Sequence, residues 1–224
     1  MDAEGMPRTF RTFIFDLDGT LLDTVPDLVL LTNRILAEVG APERTKDEIL
    51  SFVGSGVRRL IYLALPEDAS EETREEAMAL WNKWFHEYYH NTVPFPGIAE
   101  MLDKLEEKGC KLGVVSNKLQ AGVDLIMQLC LPDRFAVMLG DSPMIPRKPD
   151  PTGILQAMRV LGATPEEMVY VGDSPGDIVA AHNAGVFAVA VLWGYHKLED
   201  FDTEGPGKPD LVIATPEELV TLAS

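Results

Sequence analysis

From residue 98 onward the sequence alternates without a break between amphipathic stretches of helical period and short apolar runs rich in Val, Ile and Leu. Helical patterning covers residues 98–108, 121–129, 151–161 and 176–183. Strand-like runs cover 111–115, 136–139, 168–171 and 187–192, and a short strand–helix tail begins at Leu211. Apolar strands separated by helices predict a parallel sheet covered on both faces. A further aromatic and β-branched run, 9–15, stands far upstream and belongs to the same sheet. Between them, from about Thr24 to His90, the pattern is helical only.

The expected architecture is therefore an α/β, Rossmann-like parallel-sheet core interrupted after its first strand by a small helical cap. The core takes 1–22 and 94–224 and the cap 23–93, with crossing points at 22–24 and 93–96. The helix signals inside the insertion are specific. Pro26 sits near a helix start and Gly40 follows its end. Thr45 with Glu48 spells a capping box, and Ser70 opens a long helix containing Trp81, Trp84 and Phe85. Residues 202–209, rich in Gly and Pro, read as a surface loop. At 224 residues the chain holds one or two domains.

Charge narrows the partners. There are 36 Asp and Glu against 19 Lys and Arg, a net of −17. Such a surface repels phosphate backbones, which argues against nucleic acid as a partner. Any site for a small anion must carry its own cations. No run approaches the ~20 apolar residues of a membrane span, so no membrane partner is expected. Residues 1–8 are polar and lack a signal-peptide core, Met6 is an alternative start, and the first residues read as a disordered tail. Cys110 and Cys130 form neither a disulfide framework nor a zinc pattern, which points to a reducing cytoplasm.

In parallel α/β sheets the ligand lies at the carboxyl ends of the strands. Those ends carry Asp16 and Asp18, then Ser116, Asn117 and Lys118, then Gly140 and Asp141 with Lys148 a little further on, then Gly172, Asp173 and Asp177. Asp16 and Asp18 fall on one side of an extended chain, where two carboxylates repel unless a cation joins them or one is protonated. Asp173 completes a hard-oxygen set suited to Mg2+ better than Ca2+. Zn2+ would want His or Cys, and none stands at these strand ends. Gly19 lets the backbone approach a phosphate, and Lys148 offers a mobile point charge to a phosphate oxygen and Asp16 together. Singly, each residue reads as a cap or a turn; their joint placement at successive strand ends makes that explanation poor.

In this order, Asp16-Leu17-Asp18-Gly19-Thr20, Ser116-Asn117, Lys148-Pro149 and Gly172-Asp173-Ser174-Pro175-Gly176-Asp177 resemble the four motifs of the haloacid dehalogenase superfamily of phosphatases. The resemblance covers nearly the whole chain. It implies that Asp16 is a nucleophile forming an aspartyl-phosphate and that Asp18 is the general acid, then base. It implies that Ser116 and Asn117 hold the phosphoryl oxygens and that Lys148 pairs with Asp16 and the phosphate. It places Mg2+ on Asp16, the Asp18 backbone carbonyl and Asp173, with Asp177 in support. Asp18 argues against a true dehalogenase, which lacks the second acid.

The insertion resembles that of phosphoglycolate phosphatases in Phe52-Val53-Gly54-Ser55-Gly56 followed by Arg58 and Leu60-Ile61. Tyr88-Tyr89 before Pro94-Phe95-Pro96-Gly97-Ile98, and Trp193-Gly194-Tyr195, add to that likeness. The expected partner is a small phosphorylated metabolite, 2-phosphoglycolate first, acted on by a monomer or homodimer. Related caps serve pyrophosphate, nucleotides and sugar phosphates, and a phosphomutase uses the same scaffold. Gly19, Thr20, Gly54, Ser55, Gly56 and Arg58 are the expected substrate-binding residues. Arg58 either forks onto a substrate carboxylate or, like Arg59, pairs with a surface acid.

Two readings from other classes compete. His86-Glu87-Tyr88-Tyr89-His90 matches the zinc-protease helix signature, in which both His share a face, though no third ligand is evident. A phospho-acceptor signalling module also combines acids, a hydroxyl, a lysine and Mg2+, but such modules are about half this length and carry no cap.

Overall fold

The computed structural model describes residues 9–54 and 56–224. In chain order the strand β1 (Thr12–Phe15) is followed by β2 (Leu22–Asp23) and by four helices, α1 (Val25–Glu38), α2 (Lys46–Phe52), α3 (Val57–Ala64) and α4 (Glu71–Trp84). Then come β3 (Val93–Pro94), α5 (Ile98–Glu107), β4 (Lys111–Leu119), α6 (Gln120–Cys130) and β5 (Val137–Asp141). The chain continues through α7 (Thr152–Leu161), β6 (Met168–Gly172), α8 (Pro175–Asn183), β7 (Phe187–Val191), β8 (Leu211–Ile213) and α9 (Glu217–Val220).

Six strands form a sheet in the order β5-β4-β1-β6-β7-β8, every pairing parallel. The period-2 alternation of side chains splits each central strand between two cores. Phe13, Phe15, Val169 and Val171 face one cluster with Leu102 of α5, Ile126 of α6 and Leu219 of α9. Ile14, Met168 and Tyr170 face the other, with Ile154 and Met158 of α7 and Ile178 of α8. β1 and β6 are buried along their whole length, which is why they read as continuous apolar runs.

The inserted helices bury a third cluster of their own, built from Leu31 and Ile35 of α1, Leu60 and Ile61 of α3, and Met78, Trp81 and Trp84 of α4. Local signals set their ends. Thr45 and Glu48 close a capping box on α2, and Ser70 accepts from the Thr73 N–H at 3.1 Å to start α4. Pro26 lies in the first turn of α1.

The two crossing points pair with each other. β2 and β3 form a short antiparallel ribbon, Leu22 opposite Pro94 and Asp23 opposite Val93. Beside it the buried carboxylate of Asp27 accepts from Asn91 N (3.0 Å), Asn91 Nδ2 (2.9 Å) and Thr92 Oγ1 (2.8 Å), tying the return segment to the first turn of α1.

Most boundaries shift by a residue or two from the sequence expectation, and three of the differences have a visible form. β1 begins at Thr12, not Thr9, because Phe10 instead forms an isolated bridge to Ala223. β4 runs past Val115 to Leu119, its register against β5 shifting so that Leu119 meets Asp141. α4 stops at Trp84 and 85–87 tighten into a 3-10 turn. The expected tail at 1–8 lies outside the described residues.

Replacing Asp27 by Ala strands three donors at the ribbon, one of them in a buried setting. A stability loss of about 2–3 kcal/mol is expected, read as a lowered urea midpoint, with no change in the far-ultraviolet spectrum of the folded protein.

Candidate active site

The site grows from the carboxyl end of β1. The Asp16 N–H still belongs to the sheet, donating to Val171 O at 2.8 Å. The chain then turns: the N–H groups of Leu21 and Leu22 both reach back to Leu17 O at 3.0 Å, and Gly19 sits at φ +84°. A Cβ at Gly19 would run into the Asp173 carboxylate, so glycine is required by both conformation and space.

Asp16, Asp173 and Asp177 converge, all buried, with carboxylate oxygens within 4.8 Å of one another. Lys148 Nζ lies 2.7 Å from Asp16 Oδ1 and 2.5 Å from Asp177 Oδ1, and donates to Tyr170 Oη at 2.9 Å. The Asp16 contact is out of hydrogen-bonding alignment, so Asp16 Oδ1 is buried without a donor. Asp177 is saturated: its Oδ2 accepts from Ser174 N (2.9 Å) and Ser174 Oγ (2.7 Å), closing the capping box of α8. Asp173 Oδ2 accepts from Tyr195 N at 2.8 Å and Oδ1 from Thr20 Oγ1 at 3.4 Å.

Burial pushes the Asp16 carboxyl up to about 8; Lys148 pulls it down, while Asp177 and Asp173 push it further up. Burial opposes the Lys148 charge, yet Asp16 and Asp177 outweigh it and hold that ammonium well above its ordinary range. One ammonium against three carboxylates leaves a deficit of positive charge. The donor set is all hard oxygen and one oxygen lacks a donor, so the residues fit a divalent cation.

Asp18 lies in different company. Its Oδ1 accepts from Thr24 Oγ1 at 2.6 Å and from Lys118 Nζ at 3.0 Å. With its carboxylate so placed, any share Asp18 takes in a metal site falls to its backbone. Thr24 spends its hydroxyl there instead of capping α1; the Thr24 and Val25 N–H groups donate to Tyr195 Oη at 2.8 and 3.2 Å. The part-buried Tyr195 hydroxyl thus serves the otherwise unpaired start of α1.

Asp16, Asp18, Ser116, Asn117, Lys118, Lys148 and Asp173 line a cavity of about 90 Å3 closed on its far side by the inserted helices. Ser116 is buried and accepts from the Lys118 N–H at 3.3 Å. Asn117 grips Lys148 rather than standing free: its Oδ1 accepts from Lys148 N at 2.7 Å, and its Nδ2 donates to Lys148 O at 3.3 Å and to Gly54 O at 2.8 Å. Its amide is therefore a clamp between core and cap.

Several expected substrate contacts lie elsewhere. Thr20 is fully buried under Asp173, and Gly19 packs against that same carboxylate; neither lines the cavity. Gly54 and Gly56 do line it, and Arg147 packs where a Gly56 side chain would be. Ser55 lies outside the described residues. Arg58 is turned away: its Nη1 donates to Glu75 Oε1 and to Tyr62 Oη, each at 2.7 Å, on the outer surface. The reason is that α4 presents Glu75 opposite that turn of α3, so the surface acid captures the guanidinium.

The zinc-protease pattern is broken. With α4 ending at Trp84, His86 sits in the 3-10 turn and His90 beyond it. Among the described residues the metal-competent cluster of His, Cys, Asp and Glu is Asp16, Asp173 and Asp177. Sequence reasoning gave no role to Lys118, Thr24, Tyr170 or Tyr195. Tyr170 carried one signal, a lone hydroxyl in an otherwise apolar strand.

Residues 13–191 match the family model described as haloacid dehalogenase-like hydrolase. The chain belongs to that family. Among its relatives is a phosphoglycolate phosphatase of Aquifex aeolicus, 36% identical over 217 residues, 95% of this chain and 96% of the relative. Another, from Pseudomonas putida strain KT2440, is 34% identical over 202 residues, 88% of this chain and 74% of the relative. A solved structure from Lactobacillus delbrueckii subsp. bulgaricus, provisionally named a phosphoglycolate phosphatase, superposes with a TM-score of 0.87 at 29% identity, covering 96% of this chain and 99% of that one. This chain is therefore a hydrolase of the phosphoglycolate phosphatase-like type. No described helix is long and apolar enough to cross a membrane.

With Asp16 held at about 8, a divalent cation entering at about pH 6.5 must displace its proton. Uptake is expected to release close to one proton at about pH 6.5 and almost none at about pH 9.5, so apparent affinity rises with pH. Calorimetric titration in two buffers of different ionisation enthalpy reads that count; a pH-independent count would contradict the Asp16 assignment.

Proposed function

We propose that this chain is a Mg2+-dependent phosphatase that hydrolyses small phosphomonoesters, 2-phosphoglycolate first among them, through an aspartyl-phosphate on Asp16. The observation that carries the reading is the different company of the two neighbouring carboxylates. Asp16 presents an undonated oxygen beside Lys148, whereas Asp18 keeps its own contacts with Thr24 and Lys118. One is placed to attack and the other to move a proton.

In this mechanism an Asp16 oxygen attacks phosphorus as the bond to the leaving oxygen breaks. Asp18, protonated, hands its proton to that oxygen, and the alcohol departs. Asp18, now ionised, takes a proton from water, whose oxygen attacks phosphorus and releases Asp16 and inorganic phosphate. An acid that returns as a base serves both halves, and the covalent intermediate splits one hard step into two. Ser116 Oγ and Lys148 hold the phosphoryl oxygens, and Asp177 with Tyr170 keeps Lys148 in place. Asp16, the Asp18 carbonyl and Asp173 would hold Mg2+, which offsets the charge repelling a dianion.

Residues 23–93 act as the cap that closes the cavity. Their lining, Leu28, Leu50, Phe52, Val53, Val57, Leu60, Trp81 and Phe85, is apolar. Such a wall excludes water but offers a sugar or base few polar partners. At about 30 Å3 per water, a cavity of about 90 Å3 holds roughly three waters, which favours a leaving group as small as glycolate. The free thiols Cys110 and Cys130 agree with work in a reducing cytoplasm.

A screen of some dozens of phosphomonoesters with Mg2+, ranked by kcat/KM, tests the reading. Activity should vanish in EDTA and return with Mg2+. Asp16→Asn should abolish turnover while keeping the fold, and Asp18→Asn should lower kcat by about 100-fold or more. Full activity of the Asp16→Asn protein would overturn the mechanism.

A further inference from the structure

The cap brings no cation into the cavity among the described residues. Its lining side chains are apolar, and Arg58 is held outside by Glu75 and Tyr62. A substrate carrying a second negative charge must be met from the core. There the cavity is lined by Lys148, Lys118 and the half-buried His196. Lys148 is held between Asp16 and Asp177 on the phosphoryl side. His196 stands 3.6 Å from Asp173, on the side of the carboxylate cluster. Lys118 is paired with Asp18 instead.

We propose that Lys118 forms a carboxylate-binding subsite that selects phosphomonoesters bearing a carboxylate next to the ester oxygen. The inference rests on the phosphatase reading above and names its substrate class. Asp18 must come within about 2.6–3.2 Å of the leaving oxygen to give it a proton. Lys118 Nζ is 3.0 Å from Asp18 Oδ1 and 3.4 Å from Oδ2, so it sits one contact beyond that oxygen. In a phosphoglycolate-like ester the carboxylate hangs one carbon from the leaving oxygen, which brings it into the neighbourhood of Nζ. An ammonium has three donors; the pairing with Asp18 leaves others for a second acceptor.

The chain also makes room for this side chain. The Lys118 stem lies along Gly122 in the first turn of α6, where a Cβ would stand 3.3 Å from Cγ and 3.4 Å from Cδ and Cε. Glycine inside a helix is unfavourable, but a methyl group here would press the lysine stem by a few tenths of an ångström. The lysine is only 15% exposed, and the apolar cap opposite it reduces screening of its charge.

The test compares 2-phosphoglycolate with isobutyl phosphate, which has the same branched shape and no second charge. Lys118→Met keeps the apolar stem and removes the ammonium. The ratio of kcat/KM for the two substrates is expected to fall at least about tenfold, beyond any loss on both that comes from Asp18 losing its neighbour. Gly122→Ala should lower the same ratio while leaving thermal stability equal or raised, which a purely structural role for the glycine would not give. Calorimetric binding of both esters to the Asp16→Asn protein in Mg2+, with and without Lys118→Met, reads the contact independently of turnover. Loss of the carboxylate preference in that pair supports the subsite even if the parent protein fails to hydrolyse either ester, a result that would sink the phosphatase reading alone. Equal losses on both esters, or a parent protein that binds them equally, would overturn the subsite.

Discussion

The buried ammonium of Lys148 is the point on which the site depends. A charge taken out of water is tolerated only when opposite charges and hydrogen bonds surround it. Here Asp16 comes from the end of β1, Tyr170 from β6 and Asp177 from the first turn of α8. Tyr170 in turn donates to Val115 O in β4 at 2.8 Å. These partners can meet only because β1 lies between β4 and β6 in the sheet. The backbone of the lysine is fixed as well, by the Asn117 amide on both its N–H and its carbonyl. Strand order, helix capping and site chemistry are thus one arrangement, and removing Lys148 would leave Asp16 and Asp177 buried with no ammonium between them.

That arrangement also explains how two carboxylates two residues apart can differ in role. Asp16 is still attached to the sheet and faces other acids in a dry setting. After the turn at Gly19, Asp18 faces Lys118 and Thr24. Thr24 precedes α1, so Asp18, the acid proposed to move protons, is bonded to the segment through which the chain enters the inserted helices. Tyr195 reinforces the connection, its hydroxyl accepting from the start of α1 while its backbone N–H donates to Asp173. Cap entry and carboxylate cluster are linked through one residue.

The sequence made the sheet and the carboxylate cluster at its rim legible because both depend on local pattern. Continuous apolar runs can only be buried strands, and polar residues at their carboxyl ends can only gather on one rim. Helix starts were legible for the same reason, since Thr45 with Glu48 and Ser70 carry their capping chemistry locally. What stayed hidden depends on tertiary neighbours. Arg58 had the right position on α3, but its direction is decided by Glu75, on another helix. Thr20 and Gly19 were correctly placed beside the site, yet their side of the loop faces Asp173 rather than the cavity. The extension of β4 to Leu119 follows a register shift against β5 that no periodicity announces. Tyr195 stands 171 residues from Thr24, whose N–H its hydroxyl accepts.

Net charge gives the last constraint. A chain at −17 repels an anion at long range, and the cavity floor does not reverse the sign by itself. Asp16, Asp18, Asp173 and Asp177 face Lys118 and Lys148 there, so each ammonium is already matched and two carboxylates remain in excess unless Asp16 keeps its proton. Screening is weak in such a setting, because the apolar cap replaces water on the opposite wall. Attraction for a phosphate dianion must then come from a charge the chain does not supply, of about the size of that excess. A divalent cation has that charge, and the buried, undonated oxygen of Asp16 is where such a charge would be most stabilised. The acidic floor is therefore no obstacle to an anionic substrate; it makes the cation a condition for the substrate's entry.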